Sequence, residues 1–596
     1  MELLNEVAER ARSFDDLYQR AHVQALAADA LWPFDRERAR AIFLRAWEAA
    51  KASDDAEQEQ DGREIARVTE ARDEILLKAA ARDSVLRERF LRELLAQEND
   101  EDNAGQNSSS STQDSSSSSV WREPSPQSAR RIELGYELLR RGNPDAAISV
   151  VMPAASEGVN ASLMIFLLRL RQKYVRPNGD ELLLALIEAA RNGLRTNANT
   201  ILLLSSPIVS PELLVIVDER GSLQLRSVPR PAMSSGDSLY LIDMDTSNGL
   251  SAARSMPSVS SAFYSVAASI LLRPSSEQAN AQREAVAVYF AITRLLPFFV
   301  RDAQQFVPEL QARANSLAEE IETSRRDYLK AQAEATPAAP EHASDPLRTQ
   351  SDQLAHARTE AERQRVYLSM VKTAAGIRAW DRARRAAENI EDLNMRHAAL
   401  SFIALNQIAD ISRAYADERE DDYESVLKFV DTADVPPLAR AWGYAQAAEI
   451  AARKKKNKQR VVELLGEAGR WANRVDAGTP ERVAAYAVVA TSAARVDEER
   501  AWGALHDAVK SANSVEDFSG EQVAIAIYAD QNRSEEREPD FSFTFDTFRL
   551  DKIFAKMARL NFDEALMESR ALEDGVPRSI AQIAIARAIL ERADNR

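Results

Sequence analysis

Cysteine is absent from this sequence. Disulfides, thiolate zinc sites, iron–sulfur clusters and a cysteine nucleophile are excluded with it. Histidine is nearly as scarce. His22, His342, His356, His397 and His506 never fall at i, i+4 on one helix, and no HExxH occurs. They read as surface or packing residues rather than metal ligands. No apolar run approaches the ~20 residues that span a bilayer. Met1 to Arg12 reads as an amphipathic charged helix without the apolar stretch of a signal peptide. A cytoplasmic protein is expected from the sequence as written, and an exported or envelope-associated one if the true start lies upstream.

Glycine is low, at 18 of 596 residues, while Ala, Leu, Glu and Arg abound. That composition favours helix over sheet. Positive charge is in deficit, with 76 Lys and Arg against 93 Asp and Glu and a net charge of −17. Such a balance repels nucleic acid and anionic lipid at long range. The basic run Arg453-Lys454-Lys455-Lys456-Asn457-Lys458-Gln459-Arg460 therefore reads as a solvated turn between two helices. Nucleic acid is not an expected partner. There is no P-loop, GxGxxG or GxSxG, and no cofactor, metal site or catalytic residue is assigned.

What is present is a repeat. Asp392, Asp434, Asp476 and Asp517 lie 42, 42 and 41 residues apart, each between two helical patterns. Ten residues beyond them come Phe402, Tyr444, Tyr486 and Ile527. A fifth copy begins at Asp574, 15 residues late because Gln531 to Phe545 is inserted. A period near 42 in an Ala-rich, helix-forming sequence points to stacked helical hairpins. An aromatic-Asp helix opening recurs at Phe34-Asp35, Trp380-Asp381 and Phe562-Asp563, which ties the N-terminal part to the C-terminal repeats. The expected fold is all-α, an α-solenoid of antiparallel helical hairpins with a small β-rich insertion at about 201–245.

The expected organisation follows the composition. Residues 1–97 are N-terminal helical hairpins, with one helix read from Arg63 to Gln97. Residues 98–127 are an acidic and Ser-rich linker that cannot repay ordering entropy by burial. Residues 128–330 form a central helical domain. Within it Leu213–Val217 and Ser222–Val228 flank Asp218-Glu219-Arg220-Gly221 as a β-hairpin, and Leu239–Ile242 reads as a third short strand. Residues 331–350 are an Ala/Pro-rich linker and 351–596 the C-terminal repeat array.

The words Arg141-Gly142-Asn143-Pro144-Asp145-Ala146-Ala147 resemble the turn between helices of tetratricopeptide repeats. Ala268-Ser269-Ile270-Leu271-Leu272-Arg273-Pro274 and Ile292-Thr293-Arg294-Leu295-Leu296-Pro297 are similar to stretches of uncharacterised bacterial proteins of like layout. The first resemblance covers one turn and implies a helical repeat. The second implies no activity.

Two sets of residues are candidates for function. Arg396, Arg440, Arg482 and Arg578 recur just past the loops of the repeats. They either line a groove and grip carboxylates of a partner, or pair with their own loop Asp or with a neighbouring repeat. Trp442 and Trp502 are candidate aromatic anchors if they face outward. The expected function is a non-enzymatic scaffold or adaptor holding a protein or peptide along the repeat groove. The alternative is a hydrolase- or phosphatase-like site in Leu239-Tyr240-Leu241-Ile242-Asp243-Met244-Asp245-Thr246. There Asp243 and Asp245 end an apolar strand, but one residue too few separates Asp245 from Thr246.

Overall fold

The computed structural model describes residues 1–57, 65–105, 124–173, 178–193, 196–209, 213–218, 222–227, 257–274, 281–334, 347–414, 423–432, 435–453, 458–516, 518–520, 523–527, 541–544 and 548–594. In chain order the first helices are α1 (Glu2–Arg10), α2 (Leu17–Leu31), α3 (Arg36–Glu57), α4 (Ile65–Ala80), α5 (Ser84–Gly105), α6 (Pro126–Arg140), α7 (Pro144–Ala155), α8 (Ala161–Lys173), α9 (Asn178–Asn192) and α10 (Ala198–Val209). Strands β1 (Leu213–Val217) and β2 (Leu223–Ser227) follow, then α11 (Pro257–Leu271), α12 (Ala281–Asp302), α13 (Val307–Glu320) and α14 (Thr323–Glu334). The C-terminal part runs through α15 (Arg348–His356), α16 (Glu360–Gly376), α17 (Trp380–Glu388), α18 (Leu393–Ala414), α19 (Tyr423–Thr432), α20 (Pro437–Arg453), α21 (Lys458–Ala472), α22 (Pro480–Ala493) and α23 (Glu498–Ala512). It ends with β3 (Ala524–Ile527), β4 (Phe541–Thr544), α24 (Leu550–Leu560), α25 (Phe562–Arg570) and α26 (Gly575–Asp594). The fold is all-α, with two short antiparallel β-ladders among the described residues.

Two expectations need correction. The single helix read over Arg63 to Gln97 is broken at Arg82-Asp83: the Asp83 carboxylate accepts from the amides of Val85 and Leu86 at 2.8 and 3.4 Å and so starts α5. The cap residues Asp83-Ser84 were the signal. The fourth copy of the repeat is not a helical hairpin either. Ile527, read as the counterpart of Tyr486, lies in β3, which pairs with β4 in the register Ile527↔Phe541 to Ala524↔Thr544.

The described residues fall into two compact units. One is built from residues 76–231 and 242–343. In it the hairpin β1–β2 packs on α10, and β1 also meets α12. α10 occupies the start of the segment expected to be β-rich, the hairpin follows it, and the third strand read over Leu239–Ile242 lies outside the described residues. Asn199 closes the free edge of β1 by imitating a strand: its side-chain amide donates to the Val217 carbonyl and accepts from the Val217 amide, both at 2.8 Å. A bidentate pair joins α5 to α6, Arg131 Nη1 and Nη2 meeting the two Glu88 oxygens at 3.0 and 2.6 Å.

The other unit combines residues 1–75 with 344–596. Each of α16, α18, α20, α22, α24 and α26 packs on the next, and α26 packs in turn on α1 and α2. The chain's first helices therefore extend the row beyond its last one. Gln582 of α26 accepts from Arg10, and Asp29 of α2 meets Arg587 at 3.4 Å. Gly575 lies beneath the Phe14 ring so closely that a Cβ there would stand 2.9 Å from it. Alanine is what lets the helices approach: Ala445, Ala448, Ala484, Ala487 and Ala581 are all buried in one apolar cluster that runs from Leu347 to Ile585.

Candidate functional site

The repeated aspartates do local work. Asp392 Oδ1 accepts from the Met395 amide at 2.8 Å and Asp574 Oδ1 from the Val576 amide at 2.9 Å, each capping the helix it precedes. Asp476 contributes its main-chain oxygen to the Thr479 hydroxyl at 2.7 Å. Asp434 and Asp517 lie outside the described residues.

The arginines that follow them share one role. Arg396 Nε donates to the carbonyl of Ile390 at 2.7 Å, Arg440 Nε to that of Val435 at 3.3 Å, and Arg482 Nη1 to that of Val475 at 3.2 Å. Arg578 reaches two carbonyls, Leu572 at 2.7 Å and Glu573 at 3.0 Å. Glu573 is exposed, while the other four carbonyls belong to buried apolar residues of the preceding loops, Ile390, Val435, Val475 and Leu572. Such an oxygen, cut off from the helix ladder, must find a donor. In these bonds the acceptor is not a side chain of a loop aspartate or of a neighbouring repeat, the pairing expected from the sequence. It is the loop's own backbone. A fifth member was missed: Arg20 donates to the Phe14 carbonyl through Nη2 at 2.6 Å and Nε at 3.1 Å. Phe14-x-Asp16-x-x-x-Arg20 is the same word as Leu572-x-Asp574-x-x-x-Arg578, so the signal was there to be read.

The two tryptophans separate. Trp442 is 2% exposed and belongs to the core, so its ring is not a surface anchor. Trp502 is half-buried and its Nε1 donates to Glu498 at 3.4 Å. A different indole is held between cations. Trp471 on α21 lies under the guanidinium of Arg440 at 4.7 Å and under that of Arg474 at 4.3 Å.

One further pattern keeps the period. Tyr444 donates its hydroxyl to Asp431 at 2.6 Å and Tyr486 to Asn473 at 2.5 Å, joining α20 to the end of α19 and α22 to the residue just past α21. Burial, and after it the Asp431 bond and charge, push the Tyr444 phenol up to about 12. The corresponding aromatic one copy earlier, Phe402, instead stacks on Phe541 of β4, ring centroids 4.4 Å apart. Lys372 of α16 covers the same Phe541 ring at 5.2 Å. The second β-ladder thus folds back onto α18.

Between α22, α24 and α26 the packing leaves a cleft of about 670 Å³. On α24 its lining falls at Asp551, Lys552, Ala555, Lys556, Arg559 and Leu560, and on α26 at Ala584, Arg587, Ala588 and Glu591. Both sets follow i, i+3/i+4 spacing and so form one face of each helix. The end of α22 adds Thr491 and, just past it, Ala494 and Arg495. Five lining residues are cationic and two acidic, the reverse of the chain as a whole. Asp551 is engaged by Arg549 at 3.0 Å, and Glu591 is shared by Arg587 at 3.0 Å and Arg559 at 3.4 Å.

Lys556 is the most enclosed of the cations. Its Nζ donates to the Thr491 carbonyl at 2.5 Å, at the end of α22 where the helix dipole favours positive charge. Burial pulls its ammonium below the usual lysine value; Glu449 works against that shift, and Arg495 and Arg453 reinforce it.

Asp243 and Asp245 lie outside the described residues. Among the described residues no group of three or more His, Asp or Glu is placed to hold a metal ion, and no helix is long and apolar enough to cross a membrane. Compared with known proteins, the chain matches no family model, no curated protein and no solved structure. Neither resemblance drawn from the sequence finds support there.

Proposed function

We propose that this protein is a non-enzymatic scaffold or adaptor, an α-solenoid in its larger unit, that binds a protein or peptide segment along the row formed by α16, α18, α20, α22, α24 and α26. The observation that supports this reading is the packing order, in which α16 to α26 by even number, and then α2, each meet the next. A row of that kind has core on its flanks and one long surface left over, and the usual use of such a surface is to hold an extended partner. The arginines serve the reading indirectly. By pinning the loops they fix the spacing of the helices that present the surface. The cleft beside α24 lies on that row and is open to a partner.

The test is affinity capture with the full chain followed by crosslink mapping. Crosslinks from one partner to several of α20, α22, α24 and α26 are expected. Recovery of chaperones alone, or crosslinks confined to residues 124–334, would overturn the proposal.

A further inference from the structure

We infer that the cleft between α22, α24 and α26 is an anion-binding subsite that takes the carboxylate side chains of an acidic peptide. The inference rests on the scaffold reading and names the partner's chemistry at one place on its surface.

Three observations converge. First, the cations are concentrated against the trend of the chain: a net charge of −17 overall turns positive here, with Arg495, Lys552, Lys556, Arg559 and Arg587 around one opening. Second, the two acidic residues in the wall are already engaged by Arg549, Arg559 and Arg587, whereas no carboxylate lies within ion-pair distance of Lys552 or Lys556 among the described residues. Lys556 has three donor protons, of which the Thr491 carbonyl takes one. Helix capping alone would not need the remaining two, nor the four further cations gathered around it. Third, the surface between the cations is apolar, with Ala494, Ala555, Ala584 and Ala588 leaving room for the methylene groups of a Glu side chain.

Size and charge select the occupant. About 670 Å³ lies within the usual ~300–1,000 Å³ of a small-ligand pocket and admits a few side chains rather than a duplex or a bilayer surface. The net charge of the chain opposes a long polyanion, while a short acidic segment meets chiefly the local field. Carboxylates approaching Lys556 would add to the attraction of Glu449, which also meets Arg495 at 3.9 Å, against the repulsion from Arg495 and Arg453.

The experiment uses the full chain and a fluorescein-labelled octapeptide of alternating Glu and Ala, with its Gln counterpart as reference, read by anisotropy at low and moderate salt. Wild type should bind the Glu peptide at least about tenfold more tightly than the Gln peptide, a difference of roughly 1.4 kcal/mol. The preference should weaken as salt rises. The double variant Arg495→Glu/Lys552→Glu alters two exposed side chains and should lose that preference at an unchanged melting temperature. Lys458→Glu, at the exposed start of α21, should bind as wild type. Lys556→Met should also lose the preference, and the double variant covers the case in which it fails to fold. Equal binding of the two peptides, or unchanged binding by the double variant, overturns the subsite. Displacement of the peptide by inorganic phosphate at equal charge, or tighter binding of an oligonucleotide of equal charge, overturns the peptide assignment. If instead the synthetic peptide binds as described and no cellular partner crosslinks to the row, the scaffold reading fails and the subsite stands.

Discussion

Arg20 and Arg578 stand near opposite ends of the chain and hold their loops in the same way. Arg20 donates to the carbonyl of Phe14 and Arg578 to that of Leu572, each six residues back, across an aspartate that caps the helix between. The Leu572 backbone turns away from its helix while its side chain enters the core, so the carbonyl has no ladder partner and a fixed guanidinium supplies one. Replacing Arg578 by Ala strands the Leu572 carbonyl and leaves that of the exposed Glu573 to water. A loss of about 1–3 kcal/mol is expected, the cost of leaving a buried acceptor unmade. Lys at this position is a single point donor and should recover only part of it. Denaturant midpoints of the three proteins check the order wild type, Lys, Ala; a Lys variant equal to wild type would mean that charge, rather than the forked geometry, is what matters.

The same two loops meet at the start of α26, where Phe14 lies against Gly575. Residues 1–57 supply α1 and α2, which pack on that helix, so a chain beginning after them leaves one side of α26 uncovered. Val576, Ile580 and Ile583 are each 6% exposed or less in the intact protein. Deleting residues 1–57 should lower the melting temperature and raise binding of an apolar dye. Adding residues 1–57 as a separate polypeptide should reverse both. A truncated chain that melts like the intact one would show that α26 is held by α24 and α25 alone.

Close approach of α19 and α20 depends on Gly443. A Cβ there would stand 2.3 Å from Cγ2 of Val430, and valine is stiff at χ1. Gly443→Ala would gain up to ~1 kcal/mol of helix propensity. It should nonetheless destabilise, because overpacking costs about 1–3 kcal/mol. Val430→Ala in the same background removes the clash and should restore part of the loss. Calorimetry of the single and double variants decides it. If the two substitutions add independently, the contact is not the cause.

How much of this was legible in the sequence depends on which atoms carry the signal. Asp392 and Asp574 were visible because a cap is made by a side chain, and a side chain of one type in one place leaves a trace at the repeat period. The arginines were visible for the same reason, but their acceptors were not. A main-chain carbonyl has no letter in the sequence, so Arg396 and Arg578 looked available for a partner when they were bonded to their own loops. Trp442 and Trp502 looked alike, since burial on a helix that packs on both sides cannot be told from spacing alone. The ladder β3–β4 was lost inside the repeat because Ala524-Ile525-Ala526-Ile527 is as Ala-rich as the helices around it, and its pairing strand comes only after an intervening segment. The cleft was illegible for a different reason: Arg495, Lys552 and Arg587 come from three elements, and only packing brings them together.

Tyr444 makes the packing of α20 on the end of α19 depend on pH. Its hydroxyl donates to Asp431, and burial together with that carboxylate moves its pKa from 10.0 to about 12. The folded protein thus keeps a proton that the unfolded chain gives up. A group with a raised folded value contributes stability that is whole below the unfolded pKa and is lost as pH rises through the folded one. The window is therefore pH 10 to about 12. In Tyr444→Phe the proton cannot leave, so stability should fall less steeply across that window than in wild type, while the variant starts lower at neutral pH because Asp431 has lost its donor. Unfolding midpoints measured at steps of pH, with tyrosinate absorbance followed in parallel, give both quantities. Two curves that fall in parallel through the window would mean that Tyr444 ionises freely and that its bond to Asp431 contributes nothing to holding α20 in place.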